Sequence, residues 1–355
     1  MKTVCTYVAV VVSCVMSGQL FAGEVDMLIK KLAEKNVITY GEAQKLITET
    51  NEQVRMQLGA GTYPGAPKWS QKFKLKGDLR LRQQSERKDN NERRNRWRMR
   101  YRLGIIAQIS QGFEAAAGLA TGGTDPRSTN QTLENGFSTK PIQLDYAYVS
   151  YMPIKWITFR GGKYPIKTAL WKTGDLMWDS DIAVEGFGAN LVHKVKAFEL
   201  FFNGGYYVLD EFKNSGSSQM NNPSDPYMVF AQPGAKYSWT KLTYVKLAPH
   251  FYGFEHVKGE PPLPSSEGGN TRDANGNLKY DYDTVGASIE IGCDMIPFLP
   301  WHAIFAEYVK NSDPDNEDMG ILAGAKIGDK KVGDRGQWQA KYNYRQLEAD
   351  AWVDA

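Results

Sequence analysis

The chain has 355 residues, enough for one large domain or two ordinary ones, and its formal net charge of +3 supplies no global field that would argue for a nucleic-acid partner. A mean hydropathy of -0.48 looks like that of a water-soluble protein, but strands that alternate an apolar side with a wet side never raise such an average. The composition therefore excludes neither a soluble β-protein nor a transmembrane β-barrel.

Only one segment is apolar over a helical length, and it comes first. Met1 and Lys2 give a short positive start, Val4 to Met16 an apolar stretch, and Gly18 to Gly23 small residues with Ala22 as the best cleavage position. This reads as a secretory signal peptide over residues 1–22 rather than an uncleaved anchor. Val11-Val12-Ser13-Cys14 loosely resembles a lipoprotein cleavage box, although apolar residues continue beyond it. Cys5 and Cys14 fall inside the removable piece, so Cys293 is the only mature cysteine, which excludes an intrachain disulfide and a thiolate metal site.

Residues 23–57 follow a helical pattern. Val25, Leu28, Ile29 and Leu32 recur at i, i+3, i+4, i+7, and Thr39-Tyr40-Gly41-Glu42 forms a capping box that opens a second helix. The pair reads as a periplasmic segment for oligomer or cell-wall contacts, or as an amphipathic pair lying on its own barrel. Residues 58–70, rich in Gly and Pro, read as a linker.

From residue 71 onward the period is two. Phe73, Leu75, Leu79 and Leu81 alternate with Lys74, Lys76, Asp78, Arg80 and Arg82. Trp97, Met99, Tyr101, Leu103 and Ile105 alternate with Arg98, Arg100 and Arg102. Each run is about 10 residues or slightly more, the length with which a tilted strand crosses a bilayer. A dry core could not hold so many guanidiniums, so Arg80, Arg82, Arg98, Arg100, Arg102 and, on a later strand, Arg160 are expected to line water. Connections alternate in length. Ser85–Asn95, Thr121–Pro141, Gly162–Ala183, Asp210–Pro226 and Val257–Leu278 are long, whereas 111–112, 153–155, 194–196 and 238–240 are short, the layout of an outer-membrane barrel. Trp156, Trp239, Trp301 and Trp338 lie near turns, where interfacial girdles sit.

The expected fold is all-β: an antiparallel transmembrane β-barrel preceded by a short helical segment, with about 13 strands present and about 16 when complete. The missing closing strands are an expectation drawn from the odd strand number and from a last strand that runs outward without an aromatic end.

Gly162-Lys163-Tyr164-Pro165, then Leu176-Met177-Trp178-Asp179-Ser180-Asp181 and Glu185-Gly186, resemble the putative porin family of Gram-negative outer membranes. So do Tyr146-Ala147-Tyr148-Val149-Ser150-Tyr151, Glu307-Tyr308-Val309-Lys310-Asn311 and the Asn36-Val37-Ile38-Thr39 stretch before the barrel. The resemblance, more distant to general trimeric porins, implies a water-filled pore for passive diffusion of small hydrophilic solutes and a homotrimer in contact with the bilayer and lipopolysaccharide. It also implies a long loop folded into the pore, whose acids, here Asp175, Asp179, Asp181 and Glu185, oppose the basic wall and set a transverse field. Arginine on the wall favours anions mildly.

Catalytic chemistry has no signature in the chain. His193, His250, His256 and His302 lack metal spacing, Gly186-Phe187-Gly188 lacks the setting of a dinucleotide site, and no nucleophile elbow occurs. No enzyme activity, cofactor, resident metal or nucleic-acid partner is expected. Asp273-Ala274-Asn275-Gly276-Asn277 reads as a turn, and Asp313, Asp315, Glu317 and Asp318 as a solvated acidic loop or a divalent-cation bridge to lipopolysaccharide. Alternatives to the passive porin are a channel specific for phosphate or sugars, a barrel enzyme, and a secreted soluble β-protein that binds a ligand.

Overall fold

The computed structural model describes residues 4–12, 22–35, 37–59, 72–87, 93–211, 225–263, 269–296 and 298–353. In chain order the elements are β1 (Val4–Val12), α1 (Ala22–Glu34), α2 (Tyr40–Gly59), β2 (Phe73–Arg87), β3 (Arg94–Ser110), β4 (Phe113–Thr121), β5 (Gln131–Thr132) and β6 (Ile142–Ile154). They continue as β7 (Ile157–Pro165), α3 (Ile166–Ala169), β8 (Ala183–Val195), β9 (Phe198–Val208), β10 (Tyr227–Ser238), β11 (Tyr244–Glu255), β12 (Tyr282–Cys293), β13 (His302–Asn311), β14 (Met319–Gly328) and β15 (Gln339–Leu347). Setting aside β1 and the two-residue β5, thirteen strands remain among the described residues, the number the alternation predicts. No described helix is long and apolar enough to cross a membrane.

Two compact units divide the chain, one of residues 1–111 with 130–140, the other of residues 112–129 with 141–355. In the first, β2 and β3 form a tall hairpin, with Phe73 opposite Ala107 and Glu86 opposite Arg94. The strands run further than the polar composition of 85–95 suggests, which shortens the connection to residues 88–93; Glu86 and Arg96 bond across the hairpin at 2.6 Å and extend it. Val4–Val12, expected as an export signal, pairs antiparallel with β2 as strand β1. The pairing covers a β2 edge that would otherwise present unpaired backbone.

The helical pair of this unit forms where the pattern predicts. Thr39 N–H donates to Glu42 Oε2 at 2.9 Å and Glu42 N–H to Thr39 Oγ1 at 3.3 Å, the reciprocal bonds of a capping box at the start of α2. Ile29, Ala33 and Ala43 are buried between the helices, with Ile38 and Ile47 against them, whereas Leu28 is exposed. Most of the linker, residues 60–70, lies outside the described residues.

The second unit is one antiparallel meander in which β4 pairs β6 and each strand from β6 to β15 pairs the next. Its two faces differ sharply. Phe198, Leu200, Phe202, Tyr206 and Val208 of β9, Leu247 and Phe251 of β11 and Ile304 and Tyr308 of β13 are exposed on one side. On the other side Phe201, Asn203 and Tyr207, Ala248, His250 and Tyr252, and Ala303, Phe305, Glu307 and Val309 are buried. An apolar face this continuous and exposed belongs against lipid. Short and long connections alternate through β11, but the last short-turn links grow to residues 294–301 and 329–338 while the opposite link shrinks to 312–318. Trp156, Trp239 and Trp338 are exposed near turns as a girdle requires. Trp301 is not: it falls on the buried parity of β13, packs against Tyr244 and donates its indole N–H to Leu242 O at 3.1 Å.

Candidate pore-lining site

The arginine face of the β2–β3 hairpin follows from alternation. Leu79, Leu81, Trp97, Tyr101 and Leu103 are exposed on one side, and Arg80, Arg82, Arg98, Arg100 and Arg102 lie half-buried on the other. The register sets Arg80 opposite Arg100 and Arg82 opposite Arg98, an arrangement of like charges that costs stability unless counter-charges or polar partners intervene. Asp78 is shared by Arg100 (Nη2, 2.8 Å) and Arg102 (Nε, 2.6 Å). Arg80 donates to Asn130 Oδ1, Arg98 to Asn130 O at 3.0 Å, and Arg82 to Gln84. Among the described residues of this face, the register sets the carboxylates Asp78 and Glu86 against Arg80, Arg82, Arg94, Arg96, Arg98, Arg100 and Arg102, a positive excess.

In the second unit, residues 166–182 between β7 and β8 leave the strand end and fold across the buried face. Leu170, Leu176, Trp178 and Ile182 join a cluster with Tyr164 of β7, Val184 of β8, Tyr207 of β9, Phe230 of β10, Tyr252 of β11, Tyr282 of β12, Phe305 of β13 and Leu322 of β14. One short segment meeting consecutive strands from β7 to β14 requires that part of the sheet to curl around it. Polar clamps fix it. Gln232 of β10 accepts Trp171 N–H at 2.9 Å and donates to Trp171 O at 2.7 Å. Asn190 of β8 donates to Ala169 O at 3.0 Å and to Asn203 at 2.7 Å, and Asn203 donates to Gln232 at 2.8 Å, an amide chain over three strands. Buried Glu307 of β13 accepts Thr173 N–H, Thr173 Oγ1–H at 3.2 Å and Gly174 N–H at 2.9 Å. Beyond β15, Trp352 packs edge-on against Trp178, Tyr252 and Phe254 on the same face.

The segment's acids are held locally. Asp175 accepts from Lys172 and, at 2.8 Å, from Ser180 Oγ–H. Burial pushes the Asp175 carboxyl upward, but the bonds from Lys172 and Ser180 and the Lys172 charge hold it below the usual carboxylate range. Asp179 accepts Asp181 N–H at 2.7 Å, and burial, with the charges of Asp181 and Asp175 adding to it, raises its carboxyl. Glu185 corrects the expectation of a fourth loop acid. β8 begins at Ala183, so Glu185 is a strand residue on the exposed side, opposite Lys163 of β7, with which it forms an ion pair at 2.5 Å. Arg160 of β7 shares the buried side with Tyr164 and donates to Thr168 O at 3.1 Å and to Asn190, so it anchors the segment rather than standing as open wall.

Sequence reasoning missed the clamps Asn190, Asn203, Gln232 and Glu307, and the lysines of β10, β11, β14 and β15 that lie beside the segment. Among the described residues no group of three His, Cys, Asp or Glu side chains could hold a metal ion. In the acidic loop, Asp313 instead accepts from Lys258 at 2.9 Å and from Asp281 N–H at 2.8 Å, and the Asp273 turn forms as read, with Asn275 and Asn277 N–H donating to its carboxylate.

Among solved structures, OmpF of Salmonella typhi, in a complex with daunomycin, matches at 11% identity over 79% of this chain and 94% of that one, with a TM-score of 0.43. No curated protein matches. The model of the putative porin family matches residues 86–276 and 269–355, which takes in the strands from β3 to β15 and the inward-folded segment. The chain belongs to the putative porin family.

Proposed function

We propose that this porin is a passive outer-membrane channel for small hydrophilic solutes, with a mild anion preference and a passage narrowed by the inward-folded segment 166–182. The observation that carries the reading is the two-sidedness of the strands: exposed Phe, Leu, Val and Tyr on one side, and on the other either guanidiniums or the clamped segment. Such strands are stable only with lipid on one side and protein or water on the other. Arg80, Arg82, Arg98, Arg100 and Arg102 supply the selecting positive charge, and Asp175, Asp179 and Asp181 supply negative charge on the inward segment. Removal of residues 1–22 on export vacates the β2 edge that β1 covers. The proposed assembly is a homotrimer in contact with lipopolysaccharide, and the α1–α2 pair is its periplasmic extension.

Planar-bilayer recording tests this. The chain is expected to form ohmic channels, and the triple variant Arg98→Gln, Arg100→Gln, Arg102→Gln is expected to move the zero-current potential in a salt gradient toward cations. An unchanged potential would refute the wall assignment, and absence of channels would refute the porin reading.

A further inference from the structure

The second unit carries a belt of lysines that neither the family nor the general channel reading requires. On the side of the strands that bears the buried cluster, within a few residues of the short-turn end, lie Lys236 of β10, Lys246 of β11, Lys326 of β14 and Lys341 of β15, with Lys330 in the link after β14. The register places Lys236 directly opposite Lys246 and Lys326 directly opposite Lys341. Two cross-strand pairs of like charge are unfavourable for the sheet by itself.

How these ammoniums are held matters more than their number. Lys246 Nζ sits 4.4 Å from the Trp171 ring centroid and 4.4 Å from that of Phe201. Lys236 and Lys330 share the Tyr244 ring at 4.4 and 4.0 Å, and Lys326 and Lys341 share the Phe305 ring, each at 4.8 Å. Among the described residues only Lys326 of the five has a carboxylate partner, Glu290 at 2.6 Å, and Glu290 also accepts the Tyr244 hydroxyl at 2.6 Å. Glu199, opposite Lys236 in the register, pairs with Lys194 instead. An aromatic face holds an ammonium in place without cancelling its charge, whereas a carboxylate would cancel it. The belt is therefore ordered, with four of its five amino groups outside any ion pair among the described residues. It also reaches the inward segment, through Trp171 and through Lys341 Nζ, which lies 3.4 Å from Thr173 O.

We propose that this lysine–aromatic belt is a binding station for doubly charged oxyanions of the phosphate and sulfate class, which pass between the two lysine pairs beside the inward segment. The inference rests on the porin reading and adds a substrate class to it. A divalent anion bridges two like-charged ammoniums and removes their repulsion, which chloride does only in part. Lysine is suited to this, being a compact charge with no fixed fork, so each station binds and releases without a rigid bidentate lock. Conduction needs several such weak sites in sequence rather than one tight one.

The test is block of chloride current by inorganic phosphate, at a pH where it is mostly dianionic, in bilayers containing the full chain. Phosphate is expected to reduce the chloride current in a saturable way. The pair Lys236→Gln, Lys246→Gln and, separately, Lys326→Gln, Lys341→Gln should each raise the half-blocking concentration at least about tenfold, or about 1.4 kcal/mol. The charge-retaining pair Lys236→Arg, Lys246→Arg should block nearly as the parent does, which separates loss of charge from loss of fold. Parent channels that conduct chloride without saturable block, or glutamine variants blocked as strongly as the parent, would overturn the station and leave the porin intact. A parent that forms no channel would overturn both.

Discussion

Glu307 offers the sharpest single perturbation, because three donors from the inward segment converge on one of its oxygens. Glu307→Ala leaves the Thr173 and Gly174 amides without an acceptor in a site where Thr173, Gly174 and Glu307 are all buried. An unsatisfied buried donor costs about 1–3 kcal/mol, so two cost at least about 2 kcal/mol even after Thr173 Oγ1 finds another partner. The released segment then gains at least about 25–30-fold in population relative to the clamped one, at about 1.4 kcal/mol per factor of ten. Glu307→Gln keeps an acceptor oxygen and loses only the charge assistance, about half the strength of each bond, so its effect is smaller but of the same sign. Single-channel recording reads the outcome as larger and noisier unit conductance, in the order Ala above Gln above parent. Limited trypsin digestion reads it independently as cleavage after Lys167 or Lys172. Parent-like conductance and parent-like trypsin resistance in Glu307→Ala would show that the clamp does not hold the segment, and the constriction argument would go with it.

Two further outcomes follow from neighbouring residues. Trp352 is buried with ring centroids 4.8 Å from Tyr252, 5.1 Å from Phe254 and 5.3 Å from Trp178, so Trp352→Ala should lower stability by about 3–5 kcal/mol and shift the urea midpoint of the detergent-folded protein downward; an unmoved midpoint would contradict this packing. Asp175 titrates below the usual carboxylate value, so its contribution is present above that value and is lost as pH falls through the depressed one, whereas raised Asp179 relaxes its repulsion with Asp181 and Asp175 on the way down. Acidification should therefore first tighten the segment and then loosen it below the ordinary carboxylate range, read with an acid-active protease. Asp175→Asn should lack the loosening, and an unaltered acid profile in that variant would dispose of the assignment.

The strands and their two faces were legible because alternation is a local property: Leu79, Arg80, Leu81 and Arg82 declare their sides wherever the hairpin sits. The positive excess on that face was legible for the same reason, and so was the capping box at Thr39 and Glu42. Partners were not. Thr173 and Glu307 are 134 residues apart, and nothing at either position marks the other. The Lys236–Lys246 and Lys326–Lys341 pairs needed a hairpin register that the loose loop boundaries did not specify. Glu185 and Trp301 were misassigned because they sit at strand starts and were read as loop and turn residues, although parity sets Glu185 with exposed Phe187 of β8 and Trp301 with buried Ala303 of β13.

One signal in the sequence was nevertheless sufficient for the inward segment and did not depend on register. Leu170, Trp171, Leu176, Met177, Trp178 and Ile182 occupy a connection of seventeen residues, 166–182, and no outer loop of that composition is stable facing water. Such a loop must bury its apolar side, and the strands that flank it keep their lipid side already occupied by Phe159 and Phe187. The other face of the sheet is the surface left to it. Once the segment lies there, its backbone amides need acceptors on a wall otherwise built for water. Glu307 and Gln232 supply those acceptors, so an inward apolar loop and buried polar wall residues are two consequences of one requirement.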